Sequence, residues 1–278
     1  MPELPEVETV ARLIRPDVVG RTIKGVSVGW ERTLGGASPR AFAASVRGAS
    51  IAGVSRRAKF ILLSLLRGDN AAGALVVHLR MTGRLHVAPA GRPPGPYTRV
   101  ALALDDGRFL DFVDVRKFGR FEFHEDPTSR LAHLGPEPLE ADFDRAWLRR
   151  ALKSRRRALK PLLLDQSFLA GLGNIYVDEA LHAARLHPLT PASRVSRAKC
   201  DALHTAIRST LTEAIAREGS SFDTFYRTPE GNPGSYQHQF QVYGRHGRAC
   251  RRCERLIVKL VVGQRGTHIC PRCQRRPS

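Results

Sequence analysis

Apolar side chains at Leu4, Val7, Val10, Ala11, Ile14 and Val18 recur at the spacing of a helix that buries one stripe. From Thr22 to about Phe123 the period shortens. TIKGVSV, KFILLSLL, GALVVHL, VALAL, RFLDFVDV and RFEFH are brief and rich in branched apolar residues, and RGDN, GRPPGP and LDDG punctuate them. This pattern predicts an antiparallel sandwich or barrel that follows one helix. Two prolines and a run of acids then break it at LGPEPLEADFD, residues 134–144. Beyond that point the pattern is helical in AWLRRALKSRRRALKPLLLD, NIYVDEALHAARL and SRAKCDALHTAIRSTLTEAIAREG. GNPGSYQ (231–237) reads as a flexible loop, and no strand pattern returns until about Phe240. The expectation is an α+β chain in two domains, with a sandwich over 1–133, a linker over 134–145, a helical part over 146–240 and a separate tail over 241–278.

Charge narrows the function. Of 278 residues, 45 are Lys or Arg and 26 are Asp or Glu, a net charge of +19. That excess implies a polyanionic partner, nucleic acid or an anionic membrane surface. No apolar run approaches the ~20 residues of a membrane span. The N-terminus is acidic rather than basic and then apolar, unlike a signal peptide. Nucleic acid is the expected partner and the cytoplasm the expected compartment.

Cysteines add a metal. Four of the five lie in the last 29 residues, as Cys250-Arg-Arg-Cys253 and Cys270-Pro-Arg-Cys273. Each pair offers two thiolates to one face of a tetrahedron, the spacing of a four-cysteine zinc ribbon with a closed, structural site. Two disulfides or an iron–sulfur cluster would use the same residues, but a reducing compartment and this spacing favour zinc. A hairpin as small as LIVKLVVGQRGTHI needs the metal to fold. Arg265 lies at its tip between Gly263 and Gly266, where a guanidinium suits a phosphate or simply faces water. Cys200 reads as a buried free thiol.

Two further stretches carry chemistry. In MPELPEVETV, Pro2 and the acids fit the first turn of a capped helix. Removal of Met1 would also expose Pro2 as a secondary amine beside Glu3, a nucleophile with an acid/base partner. In GLGNIYVDEA (171–180) two glycines and Asn174, a favoured N-cap, precede a helix, and such a start is a ready phosphate site. The helix expected over 146–164 carries Arg149, Arg150, Lys153, Arg155, Arg156, Arg157 and Lys160. Two helices around a glycine turn make a unit able to grip a DNA backbone.

PELPEVET, RRAKF (56–60), HLRMTGRL (78–85), DVRKFGRF (114–121), LGPEPL (134–139), GLGNIYVDEAL (171–181), QVYGRHGRAC (241–250) and QRGTHICPRCQ follow one another along the whole chain. In that order they resemble the bacterial formamidopyrimidine-DNA glycosylases. The resemblance implies an N-terminal helix with an antiparallel β-sandwich, a helix–two-turn–helix domain and a four-cysteine zinc ribbon. It also implies excision of oxidised purines (8-oxoguanine and formamidopyrimidines) from double-stranded DNA and cleavage at abasic sites by β,δ-elimination, by a monomer carrying one structural zinc on Cys250, Cys253, Cys270 and Cys273. In such enzymes Pro2 is the nucleophile and Glu3 the general acid/base. Glu6 is structural or orienting, and Lys59 binds phosphate and donates a proton in β-elimination. His78, Asn174 and Arg265 match phosphate ligands, Arg265 being linked to δ-elimination as well. Arg155 matches a backbone-contacting residue, and Tyr97 falls where some relatives place a DNA-contacting His. Met81, Arg116 and Phe118 match the wedge that fills the stack after base extrusion. By pattern alone, Met81 and Phe118 read as core.

Two positions depart from the family pattern. HLRM has Arg80 where HLGM is usual, which opens the question of the local turn. The segment 222–237, which varies among relatives, yields no base-reading residue. Two other functions fit the same chain. Endonuclease VIII shares the fold, Pro2, Glu3 and the ribbon but favours oxidised pyrimidines. It typically reads PEGPE, so Leu4 and the long 222–237 segment point to the purine enzyme. A non-catalytic damaged-DNA-binding protein is separated from both by borohydride trapping on abasic DNA.

Overall fold

The computed structural model describes residues 1–221 and 226–276. The chain divides into two compact units, Met1–Ala132 with Glu218–Ser235, and His133–Arg217 with Tyr236–Ser278. Among the described residues no helix is long and apolar enough to cross a membrane.

The first unit begins with helix α1 (Leu4–Val18). Glu3 is its extended N-cap, and the Glu6 carboxylate reaches back to accept the Glu3 backbone N–H at 2.8 Å. Val7, Val10, Ala11, Ile14 and Val18 face the core, the stripe predicted by their spacing. Strand β1 (Ile23–Val28) and a short helix α2 (Pro39–Val46) follow. This helix was not expected in the strand-rich half. Ser38 caps it and Pro39 starts it, a local signal the strand pattern masked.

Seven more strands complete the unit: β2 (Ser50–Arg57), β3 (Phe60–Arg67), β4 (Asn70–His78), β5 (Gly83–Ala88), β6 (Thr98–Leu104), β7 (Phe109–Asp114) and β8 (Arg120–His124). They form two antiparallel four-stranded sheets, ordered β2-β3-β4-β8 and β1-β6-β7-β5. Alternate residues enter one core: Ile61, Leu63 and Leu65 from β3, Val100, Leu102 and Leu104 from β6, and Leu110 and Phe112 from β7. Each such side chain gains roughly 1.5–3 kcal/mol by leaving water. A minor one-turn helix α3 (Thr128–Leu131) closes the N-terminal stretch. Tyr226, from the returning segment, packs into the same core.

The second unit holds α4 (Arg145–Lys153), α5 (Leu159–Leu163), α6 (Asn174–Ala183) and the long α7 (Arg197–Ala216). The helix expected over 146–164 is therefore two. Residues 155–158 turn their backbone to residues 191–193 instead: Ser193 N–H donates to Arg155 O at 2.8 Å and Ala192 N–H to Arg157 O at 3.0 Å. Tyr236, expected in a flexible loop, is buried in a one-turn 3-10 helix, Tyr236–Gln239. Strands β9 (Val258–Val262) and β10 (Arg265–Ile269) form a hairpin. Its two turn residues, Gly263 and Gln264, have φ of 54° and 61°, as a type I′ turn requires. Arg265 is thus the first residue of β10, exposed beside the turn, rather than part of the turn itself.

Candidate nucleic-acid interface and zinc site

In the first unit Pro2 and Glu3 are buried at the start of α1. The Glu6 carboxylate fixes that start from below. Its Oε2 holds the Glu3 N–H, while Oε1 accepts Ser220 N–H at 2.7 Å and Ser220 Oγ at 3.3 Å. The first helical turn is thereby tied to the segment 218–221. Gly219 permits this contact. It has φ of 75°, and a Cβ there would stand 2.7 Å from Glu6 Oε1. Residues 222–225, the first part of the segment that yields no base-reading residue, lie outside the described residues.

Lys59 sits in the turn from β2 to β3 behind Ala58, whose φ is 53°. Arg56 sets that turn against α1, donating to Glu8 Oε2 at 2.8 Å and to Ala58 O at 3.0 Å. Lys59 is buried, and across the ladder its neighbour Phe60 pairs with His78. The Phe60 and His78 rings meet edge to face with centroids 4.7 Å apart. Burial first, and then the charges of Arg80, Lys59 and Arg130, hold the His78 pKa down at about 3. The Arg80 backbone N–H donates to His78 Nδ1 at 3.0 Å. His78 is therefore a neutral imidazole whose proton is on Nε2, a hydrogen-bond donor at neutral pH. Arg80 answers the question of the turn: it takes φ of 53°, the conformation a glycine would adopt freely, and its side chain is exposed.

Met81 and Phe118 are 40% and 48% exposed, so the core reading of these two by pattern is corrected. Arg116 joins them, its guanidinium 4.8 Å from the Phe118 ring centroid and its Nη1 3.2 Å from Met81 Sδ. One buried carboxylate shapes both loops. Asp114 accepts the Thr82 hydroxyl and the Arg116 N–H (3.2 Å) on Oδ1, and the Gly119 N–H (2.7 Å) on Oδ2. Asp114 was not singled out in the sequence; its only signal is a carboxylate at the end of an apolar strand. Tyr97, half exposed, stands before β6 with the Arg99 guanidinium 5.8 Å from its ring.

In the second unit Asn174 is the first helical residue of α6 rather than its cap; Gly173 takes the cap position. The Asn174 amide instead donates to Gly266 O at 2.9 Å, joining the helix start to the hairpin beside Arg265. Lys160 donates to the same carbonyl at 3.1 Å and to Asp178 Oδ1 at 2.6 Å. Lys160 is fully buried, so the reading of it as part of a DNA-gripping face is corrected. Asp178 completes the link by accepting His268 N–H at 2.8 Å. Glu179 accepts the N–H groups of Gln241, Val242 and Tyr243 at 2.8, 3.0 and 2.8 Å. These two acids anchor the hairpin and its lead-in segment instead of serving the helix dipole. Of the basic run, Arg149 is paired with Asp201 and Arg157 with Asp165, whereas Arg155 is exposed, donates to Ser154 Oγ at 2.8 Å and lies 5.9 Å from the Phe168 ring centroid.

The four cysteine sulfurs of 250, 253, 270 and 273 lie within 4.8 Å of one another, with Cys253 Sγ 3.4 Å from Cys270 Sγ and 3.5 Å from Cys273 Sγ. A disulfide needs about 2.05 Å. Tetrahedral zinc with bonds of about 2.3 Å places its sulfurs roughly 3.8 Å apart, so the set fits zinc. His182 Nε2 lies 3.6 Å from Cys250 Sγ, where an N–H supports a thiolate. Cys200 is a buried free thiol, its pKa pushed up to about 11 by burial.

Three family models match successive stretches. Residues 1–121 match the formamidopyrimidine-DNA glycosylase N-terminal domain, 134–226 its H2TH domain, and 247–276 the zinc finger found in FPG and IleRS. The chain belongs to the formamidopyrimidine-DNA glycosylase family. It is 48% identical to the formamidopyrimidine-DNA glycosylase of Chloroflexus aggregans over 99% of this chain and 98% of the relative. To that of Geobacillus kaustophilus it is 44% identical over 99% of this chain and all of the relative. Among solved structures, the Thermus thermophilus protein superposes with a TM-score of 0.87 at 41% identity, both chains being fully covered. A Lactococcus lactis mutant enzyme, solved with DNA containing Fapy-dG, gives 0.90 at 36% identity over 99% of this chain and all of that one. The fold is that of the family: antiparallel sheets behind an N-terminal helix, a helical H2TH domain and a four-cysteine finger holding one structural zinc. That zinc supplies folding energy to the hairpin and no chemistry to a substrate.

Proposed function

We propose that this protein is a bifunctional base-excision repair enzyme, a DNA glycosylase for oxidised purines and a lyase for abasic sites. It acts as a monomer on double-stranded DNA in the cytoplasm. The observation that carries the reading is the buried Pro2–Glu3 start of α1, locked by Glu6, in a chain alike over its whole length to formamidopyrimidine-DNA glycosylases.

After removal of Met1, the Pro2 nitrogen attacks C1′ and the bond from C1′ to the damaged base breaks, the base leaving with the electron pair. Glu3 gives a proton to the ring oxygen as the C1′–O4′ bond opens, and the nitrogen lone pair forms an iminium. A secondary amine makes that iminium permanently cationic. It acidifies C2′–H, whose loss expels the 3′ phosphate; a second elimination releases the 5′ phosphate. Lys59 binds phosphate and serves as proton donor in the first elimination, and Arg265 assists the second. His78 Nε2–H, Asn174 and Arg265 bind the phosphates around the extruded nucleotide. Arg155 and Tyr97 contact the backbone. Met81, Arg116 and Phe118 fill the vacated stack, the arginine reaching the orphaned base.

The N-terminal, helical and ribbon parts divide at 1–133, 134–145, 146–240 and 241–278 as functional segments. In this division the return of 218–235 to the first unit brings a stretch of the helical segment to the base of α1. The test is borohydride trapping on abasic DNA followed by peptide mapping. The adduct is expected on Pro2, and an adduct on Lys59 would overturn the assignment. Cleavage of 8-oxoguanine:C is expected to outrun cleavage of thymine glycol:A.

A further inference from the structure

The C-terminal end of α6 opens into a cavity of about 850 Å³ lined by Arg185, Lys199, Arg251, Arg252, Arg272 and Arg275. Glu254 is the one carboxylate among its walls. Among the described residues, none of the six cations has a carboxylate within ion-pair distance. The cavity is remote from the phosphate ligands of its own unit. Asn174 begins α6 and Arg185 follows its end, so the ten helical residues between them set roughly 15 Å. The hairpin gives the same answer: Arg265 adjoins the turn, while the cysteines of the cavity wall lie beyond the opposite ends of five-residue strands, about 17 Å away.

The negative end of a helix should repel an anion. Here it is screened. Lys199 Nζ donates to Ala184 O and Arg185 O at 3.2 Å each, and Arg252 donates to His182 O at 3.2 Å. These two cations are fixed in place by the carbonyls they cover and still carry their full charge. Arg185, Arg272 and Arg275 are exposed. Arg185 holds φ of 53° where helices commonly end in glycine or asparagine. Crowding like charges against a strained backbone costs stability that a bound polyanion offsets.

We propose that this cavity binds the phosphodiester backbone of a second DNA segment while Asn174 and Arg265 engage the first. The inference rests on the reading of this chain as a DNA-binding enzyme. Guanidinium groups match phosphate oxygens bidentately. An acidic protein partner fits less well, because protein interfaces centre on aromatic and apolar anchors and the one apolar side chain here, Leu186, is itself buried. A chain that holds two segments can pass directly from one duplex to the next.

The test uses the zinc-loaded full-length protein on a short fluorescent undamaged duplex, chased with unlabelled duplex. Direct transfer makes the apparent dissociation rate rise with chase concentration. The rise is expected in the wild type and is expected to be lost in the triple variant R185N/R272S/R275S. The salt slope of the chase-dependent rate should fall by about one for each phosphate contact removed. Single-turnover cleavage of 8-oxoguanine DNA should be unchanged. R185N alone, whose Asn suits the left-handed backbone and lies apart from the zinc ligands, should lose part of the rise with full zinc content. A dissociation rate independent of chase in the wild type, or a rise retained in both variants, would overturn the proposal. So would decaglutamate binding that exceeds duplex binding at this cavity and is lost in R185N, which would assign it to an acidic protein. Transfer without lesion cleavage would instead remove the enzymatic reading and leave this one standing.

Discussion

Asp114→Asn separates wedge geometry from the chemistry at Pro2. The substitution keeps the shape of the side chain, so it leaves no cavity. An asparagine oxygen in place of Oδ1 can still take the Thr82 hydroxyl and the Arg116 N–H. Its NH2 group then faces the buried Gly119 N–H, which Oδ2 now accepts at 2.7 Å. Turning the amide over moves the same conflict to Thr82 and Arg116. One charge-assisted bond is lost with its donor left unpaired, about 1.5–3 kcal/mol. Gly119 cannot shift inward to compensate, because a Cβ built there already collides with the Phe112 ring. If ordering of this loop is needed to fill the stack, the same energy appears in the barrier for base excision from duplex, roughly a 10- to 150-fold slower single turnover. Trapping on a single-stranded abasic oligonucleotide needs no wedge and should proceed at the wild-type rate. Urea unfolding reports the stability loss independently. Equal loss on duplex and single strand, or none on either, would refute this account of Asp114.

Arg80→Gly should lower the slope of log affinity against log salt by about one, alike on lesion and undamaged duplex, if Arg80 contacts a phosphate; an unchanged slope would place its side chain in solvent. Cys250→Ser should lose zinc and DNA affinity together while the first unit stays folded, checked by metal release and circular dichroism; full affinity without metal would contradict it. His78 is held near a pKa of about 3, so its contribution to stability is complete above the unfolded value near 6.5 and is lost as pH falls toward 3. Between about pH 7.5 and 4.5 the wild type should lose some 2–3 kcal/mol more than His78→Asn in urea unfolding, and parallel losses would show that His78 does not carry it. Gly219→Ala, with φ of 75° and a Cβ 2.7 Å from Glu6 Oε1, should cost about 1–3 kcal/mol and slow excision of a damaged base; an unaltered urea midpoint would mean that Glu6 and Ser220 separate freely.

The elements whose signal is local were legible in the sequence. The α1 stripe and the two-residue alternation of β3 and β6 each follow from burying one face, and the four cysteines from the geometry of one metal. What was hidden depends on partners far along the chain. Lys160 looks like one more cation in RRRALK, because nothing nearby reveals that Asp178 and the Gly266 carbonyl will surround it. Ser220 is 214 residues from the Glu6 carboxylate that holds it. Met81 and Phe118 have the composition of core, and only the family resemblance gave them another use. The break between α4 and α5 escaped for a related reason: Arg155 to Arg157 are good helix formers, and a distant segment captured their backbone carbonyls instead.

Backbone strain marks the same places as side-chain chemistry. Seven non-glycine residues among those described have positive φ: Ala58, Arg80, Lys117, Arg185, Glu218, Glu254 and Gln264. Each costs on the order of 1–2 kcal/mol unless its surroundings impose it. Ala58 precedes Lys59, Arg80 precedes Met81 and aims its N–H at His78, and Lys117 separates Arg116 from Phe118. Glu218 precedes the Gly219 that lets Ser220 reach Glu6, and Gln264 precedes Arg265. Arg185 and Glu254 border the basic cavity. A fold selected only for stability would place glycine or asparagine at such positions. Here the left-handed residue instead sets the direction of a neighbour: it turns the backbone sharply enough that the next side chain, or its own N–H, leaves the strand or helix and faces the substrate side. The conformational cost is met by the surrounding hydrogen bonds, those of Arg56 at Ala58, His78 at Arg80 and Asp114 around Lys117. For that reason the polar residues that touch no substrate are as necessary to the site as those that do.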